Sequence, residues 1–231
     1  MRSPAALGRE LLGLIYPPRC VFCGALLEAG SPALGICRPC RETMPRTGGR
    51  DALRLGLDYT VCAAPLRYEK QVVRSLRRFK FQGRPYYASA YGPLLRACAE
   101  EHFPDPPDLV TWAPLHWRRR YARGYDQARL LAEEAALAYQ MRPVRLLVKA
   151  RYTRPQSSLP GRAREQNAAG AYRLCRKAEV SGRRILLIDD IVTTGSTLSA
   201  CSRVLLEAGA AEVFCLALAR GGVRGDVEKR R

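Results

Sequence analysis

A chain of 231 residues with 39 Lys plus Arg against 21 Asp plus Glu carries a formal charge of +18, and 47% of its residues are hydrophobic. That balance excludes a disordered chain, a collagen-like fibre and an acidic tail protein, and the length suits one full-sized domain with a small appendage. No apolar run approaches the roughly 20 residues of a membrane-spanning helix, and Arg9 and Glu10 interrupt the place where a signal peptide needs its apolar centre, so a cytoplasmic protein without a membrane span is expected. The positive charge suits a polyanion or a phosphorylated metabolite, and equally a solvated basic surface.

In chain order, Leu7, Leu11, Leu12, Leu14 and Ile15 predict a short helix that stops at Pro17 and Pro18. Residues 19–58 are rich in Cys, Gly, Pro and Arg and too poor in apolar periodicity to fold unaided. From Tyr59 the texture alternates between strand and helix. Strands are predicted near 60–67, 109–113, 145–150, 184–188 and 212–218. Val72, Val73, Leu76 and Phe79 share one face of an intervening helix, and Ala128, Leu131, Ala135 and Ala138 one face of another. Such alternation predicts an α/β domain with a largely parallel sheet flanked by helices. The predicted division is 1–58 for the N-terminal helix and cysteine-rich module, 59–220 for the α/β domain, and 221–231 for a basic tail.

Two knuckles, Cys20-Val-Phe-Cys23 and Cys37-Arg-Pro-Cys40, present four thiolates from two tight turns, the donor set of a tetrahedral Zn²⁺. Two disulfides would be out of place in a cytosolic chain, and a redox pair would sit between a strand and a helix of the main fold. A structural Zn²⁺ with no open coordination position is therefore expected. Cys62, Cys98, Cys175, Cys201 and Cys215 lie among apolar neighbours and read as small packing residues.

The run Arg184-Ile-Leu-Leu-Ile-Asp189-Asp190-Ile-Val-Thr193-Thr194-Gly195-Ser196-Thr197 places a buried strand, two carboxylates, a hydroxyl-rich loop and a helix start in succession. Backbone N–H groups of such a loop and the N-terminus of the next helix surround a phosphate, with Gly195 permitting close approach. Two acids beside a phosphate need another part of the ligand to hold, most naturally the 2′- and 3′-hydroxyls of a ribose 5-phosphate.

This segment resembles the signature of the type I phosphoribosyltransferases. Phe79-Lys80-Phe81-Gln82-Gly83, the Ala113-Pro-Leu-His116 loop with Arg119 and Arg123-Gly124-Tyr125-Asp126-Gln127, and the run of Arg151, Thr153, Gln156, Leu159, Arg164 and Asn167 are similar to the ComF/GntX branch, which joins a zinc ribbon to a phosphoribosyltransferase-like domain. Asp126 stands where that branch usually has Asn. The resemblance implies a pocket for phosphoribosyl diphosphate or a nucleotide 5′-phosphate. Asp189 and Asp190 would hold the ribose as the catalytic pair. Thr193, Thr194, Gly195, Ser196 and Thr197 would bind the 5-phosphate, with Lys80, His116, Arg119 and Arg123 on the diphosphate side and Mg²⁺ accompanying the diphosphate if the domain is a transferase acting on pentosyl groups. It also implies a role in DNA uptake and processing during natural transformation, with competence-machinery proteins as partners. The competing expectation is a non-catalytic single-stranded-DNA-binding module whose nucleotide pocket is regulatory. As plain chemistry, Lys70, Arg74, Arg77 and Arg78 beside Lys80 read as a solvated face, and Arg151 to Asn167 as a connection or a lid over the site.

Overall fold

The computed structural model describes residues 17–27, 35–56, 58–152, 170–176 and 178–222. The predicted helix over 5–15, most of the expected lid and the basic tail lie outside these residues. Among them the strands are β1 (Leu53–Arg54), β2 (Cys62–Ala63), β3 (Leu66–Arg67), β4 (Leu109–Trp112), β5 (Leu147–Lys149), β6 (Tyr172–Leu174), β7 (Arg184–Val192) and β8 (Glu212–Arg220). The helices are α1 (Arg38–Thr43), α2 (Lys70–Phe81), α3 (Tyr87–His102), α4 (Trp117–Arg123), α5 (Gln127–Ala136) and α6 (Ser196–Glu207).

Strands β7 and β8 form the centre because both are apolar on both faces, the pattern of a parallel strand covered by helices on either side. Alternate residues of β7 point to opposite layers. Leu186 and Ile188 join α3, α5 and the cysteine-rich module, while Ile185 and Leu187 join α6 and β6. All four are buried, each contributing about 1.5–3 kcal/mol relative to exposure. The sheet runs β1-β2-β8-β7-β4, with β3 beside β8, and every pairing in it is parallel except that of β1 with β2.

Two predicted strands differ in detail, and one helix was not predicted. The strand expected near 60–67 is broken into β2 and β3, with Pro65, which has no N–H to give a ladder, between them. The one expected near 145–150 leaves the main sheet and pairs antiparallel with β6 as a separate ribbon. Helix α3 had no legible amphipathic stripe: Gly92 and Pro93 interrupt its middle, and it is buried on most sides against α5, β8 and the aromatic residues beneath it. A Cβ on Gly92 would lie 2.2 Å from Glu134 Oε2, so glycine is what admits the Arg96–Glu134 ion pair, 3.0 Å, across the helix surface.

The cysteine-rich module is continuous with the α/β core. Val21 and Phe22 are buried in the same cluster as Val72, Leu76, Phe79 and Tyr91. Ser75 Oγ donates to Val21 O at 2.5 Å, and Arg78 Nη2 donates to Phe22 O at 2.6 Å and Val21 O at 3.0 Å. Arg78 is thus a clasp between the two parts, not a member of a solvated face.

Candidate functional site: a metal knuckle and a ligand cleft

The four knuckle sulfurs converge. The Sγ atoms of Cys20, Cys23, Cys37 and Cys40 lie within 4.8 Å of one another, and Cys23 and Cys37 are 3.6 Å apart, close to the roughly 3.8 Å edge of a tetrahedron with ~2.3 Å Zn–S bonds. Gly24, at φ +84°, closes the first turn with its N–H on Cys20 O at 2.8 Å, and Ala25 N–H reaches Cys23 Sγ at 3.4 Å. Burial pushes the Cys20 thiol up, but backbone N–H groups of Cys23, Cys37 and Phe22 outweigh it and bring the pKa to about 7. Burial raises the thiol pKa values of Cys37 and Cys40, so metal binding has to displace protons there; four converging sulfurs on two knuckles fit Zn²⁺ in a structural role.

The second site lies where β4 and β7 part. Their pairing ends at Trp112 beside Ile188, and Ala113 N–H makes a last bond to Ile188 O, 2.9 Å. β7 continues to Val192 against β8 alone. Asp189 and Asp190 therefore stand just past the last β4 pairing, towards the carboxyl ends of the strands, where open α/β sheets bind ligands. Both carboxylates are half-buried. Asp190 Oδ1 pairs with Lys80 Nζ at 2.8 Å, with the side chains 15% and 22% exposed, enough shielding for the pair to matter. Asp189 Oδ1 accepts the Asp190 N–H at 2.8 Å. Loss of hydration and the neighbouring Asp190 push the Asp189 pKa up to about 8, against the pull of that N–H, Lys80 and Lys149.

The run Arg123-Gly124-Tyr125-Asp126-Gln127 is a brace for this cleft. Gly124, at φ +82°, ends α4 in the left-handed conformation. Tyr125 Oη donates to Phe79 O and receives the Arg84 N–H at 3.2 Å, fixing the end of α2 from which Lys80 projects. Arg123 donates to Gln127 Oε1, lies 5.2 Å from the Phe81 ring centroid and feels Asp190 electrostatically. Asp126 caps α5 by accepting the Arg129 N–H at 3.4 Å and holds the 113–116 loop through the Leu115 N–H at 3.1 Å. The Asn-to-Asp departure thus leaves a residue that works as an acceptor, and burial raises its pKa.

His116 caps α4, its Nδ1 accepting the Arg118 N–H at 3.3 Å. Burial, with the cations Arg118, Lys149 and Arg119, lowers its pKa. Arg119 stacks over Tyr152 at 5.4 Å. In the 193–197 loop, Thr194 and Ser196 hydroxyls are 2.9 Å apart and Gly195, at φ +81°, begins α6. The structure thus joins Lys80 to Asp190 directly, places Arg123 within electrostatic reach of Asp190, and sets His116 and Arg119 on the neighbouring rim.

Sequence reasoning missed four residues here. Lys149 on β5 donates to Tyr172 Oη at 3.1 Å and interacts with both Asp189 and Arg119, its pKa lowered by burial and then by Arg119. A lone Lys inside a predicted apolar strand was the available signal. Tyr172 had none, because β6 was not foreseen. Arg54 and Tyr59, which touch the 193–195 segment, lie in a stretch without periodicity.

A four-cysteine knuckle joined to a parallel sheet with an acid pair and a hydroxyl-rich strand-to-helix loop defines a zinc-ribbon protein of the phosphoribosyltransferase type. Family models agree: a phosphoribosyl transferase domain matches residues 134–230 and a double zinc ribbon domain residues 11–52; the sheet containing β7 and β8 also takes in β1 to β4, which precede the first match. The chain is 33% identical to Competence protein F of Haemophilus influenzae over 63% of this chain and 66% of that protein. It is 30% identical to the DNA utilization protein YhgH of Escherichia coli K12 over 82% of each, and 30% identical to Competence protein ComFC of Bacillus subtilis over 80% of this chain and 72% of that protein. The chain belongs to the ComF family. Among the described residues no helix is long and apolar enough to cross a membrane.

Proposed function

We propose that the cleft binds 5-phosphoribosyl 1-diphosphate or a nucleotide 5′-phosphate, and that the protein acts in handling DNA taken up by the cell, as the names of its relatives suggest for them. The observation that carries the ligand reading is the Asp189–Asp190 pair, anchored by Lys80 and continuous with the 193–197 loop. Loop N–H groups and hydroxyls of Thr193, Thr194, Ser196 and Thr197 receive the 5-phosphate, and the acids accept the ribose hydroxyls. Lys80, Arg123, Arg119 and His116 face the diphosphate, with which Mg²⁺ would enter to offset charge. In a transferase this arrangement would present C1 to a nucleophile and stabilise the departing charge by position and electrostatics. Titration with phosphoribosyl diphosphate and Mg²⁺ tests it: Asp190→Asn and Thr194→Ala should each lose roughly 1.5–3 kcal/mol, about 10- to 150-fold in affinity. Unchanged affinity in both variants would put the ligand elsewhere.

A second reading, a single-stranded-DNA-binding module, has its own observation. Helix α4 buries none of its residues, and Trp117 and Tyr121, 61% and 89% exposed, stand among Arg118 and Arg120. Solvated rings between cations suit base stacking along a phosphate backbone. DNA affinity should fall with salt at about 0.7 log units per phosphate contacted, and Trp117→Ala with Tyr121→Ala should weaken it by roughly 1–3 kcal/mol per stacked base. Absence of DNA binding at low salt would remove this reading and leave the small-molecule pocket.

A further inference from the structure

We infer that Arg54, carried on β1 directly after the zinc-binding module, is a positioning residue that aims the phosphate loop at its ligand. This rests on the reading of 193–197 as a phosphate site but concerns a residue outside it. Arg54 donates through Nη1 to Thr193 O and through Nη2 to Thr194 O at 3.4 Å. In a trans peptide the N–H points opposite to the C=O. Holding the carbonyls of Thr193 and Thr194 on the Arg54 side therefore turns the N–H groups of Thr194 and Gly195 to the opposite side, facing the cleft. A guanidinium is suited to this because its planar fork spans two acceptors at once.

Tyr59 completes the brace. It is buried, and a Cβ placed on Gly195 would lie 2.7 Å from its hydroxyl oxygen, so the ring packs directly under the loop's glycine. Its own ring is seated against Gly56, where a Cβ would lie 2.3 Å away, and its hydroxyl interacts with Arg54. Gly195 thus has two reasons to lack a side chain, a φ of +81° and the phenol behind it. The segment bearing Arg54 is held in turn by Thr47, whose N–H donates to Pro65 O at 3.0 Å, and by the pairing of Arg54 with Cys62. One short path of chain therefore runs from the metal knuckle to the back of the phosphate loop.

The test uses the full zinc-loaded chain with ribose 5-phosphate and with phosphoribosyl diphosphate plus Mg²⁺ as probes, and follows backbone hydrogen exchange. Arg54→Ala is expected to weaken both probes roughly tenfold or more and to speed exchange at 193–197, with zinc content and β7–β8 protection unchanged. Arg54→Lys, which keeps the charge but not the fork, should fall between, and serves if the alanine variant does not fold. A purely structural role would instead accelerate exchange across the sheet in proportion to lost stability. Arg54→Ala with wild-type affinity and wild-type loop exchange overturns the inference. Failure of the wild-type protein to bind either probe overturns the phosphate reading instead, and the exchange comparison still decides whether Arg54 orders the loop.

Discussion

The metal knuckle and the ligand cleft are organised in opposite ways. All four thiols of the knuckle come from positions 20 to 40 and are presented by local turns. The charged groups of the cleft come from α2, α4, β5 and β7, and meet only because the sheet and its covering helices bring them together. The knuckle gathers four thiols for one ion, in a short segment that has only a few apolar side chains to add to the shared core. The cleft depends on many long-range contacts, each modest. Local sites should therefore fail at once and distributed ones by degrees.

Removing the metal is the strongest test of that contrast. Chelation or Cys37→Ser should unfold the module around positions 17–44, since zinc binding supplies about 10–16 kcal/mol of apparent folding free energy in such units. Because Val21 and Phe22 share the core of α2 and are held by Ser75 and Arg78, the disturbance should reach Lys80 as well. Metal analysis with thermal melting checks this; a protein purified without chelator and free of zinc, with an unchanged melt, would break the comparison.

Within the cleft, Lys80→Met should cost about 3 kcal/mol by leaving Asp190 uncompensated next to Asp189. Adding Asp190→Asn should restore much of it, and denaturant unfolding of the single and double variants measures the coupling. Additive losses would show that the pair is not a unit.

A smaller effect concerns pH. Asp189 has its pKa raised in the folded protein from an ordinary carboxylate value near 3.8 to about 8. Between these values the native state binds more proton than the unfolded chain, so the Asp189 contribution to stability is full below about 4 and declines as pH rises towards 8 and above. Asp189→Asn should flatten that decline. Its partial exposure keeps the slope below the ~1.4 kcal/mol per pH unit of a single fully linked proton. A variant with the wild-type slope would mean that Asp189 is not the group holding the proton.

By itself the sequence determined the chemistry of both sites wherever the groups lie within one turn of chain. The two Cys knuckles and the run from Asp189 to Thr197 are continuous, and their backbone geometry follows from Gly24, Gly195 and the strand-to-helix switch. It also determined the parallel core, because β7 and β8 are apolar on both faces. Only the tertiary structure decided that Lys80 meets Asp190, that Arg78 grips the metal module, that Lys149 and Tyr172 line the cleft, and that Arg54 backs the phosphate loop. These are contacts across 23 to 139 residues, made by polar side chains that carry no period. Their partners are chosen by which strand ends part and which helix covers them, and local pattern holds no record of that choice.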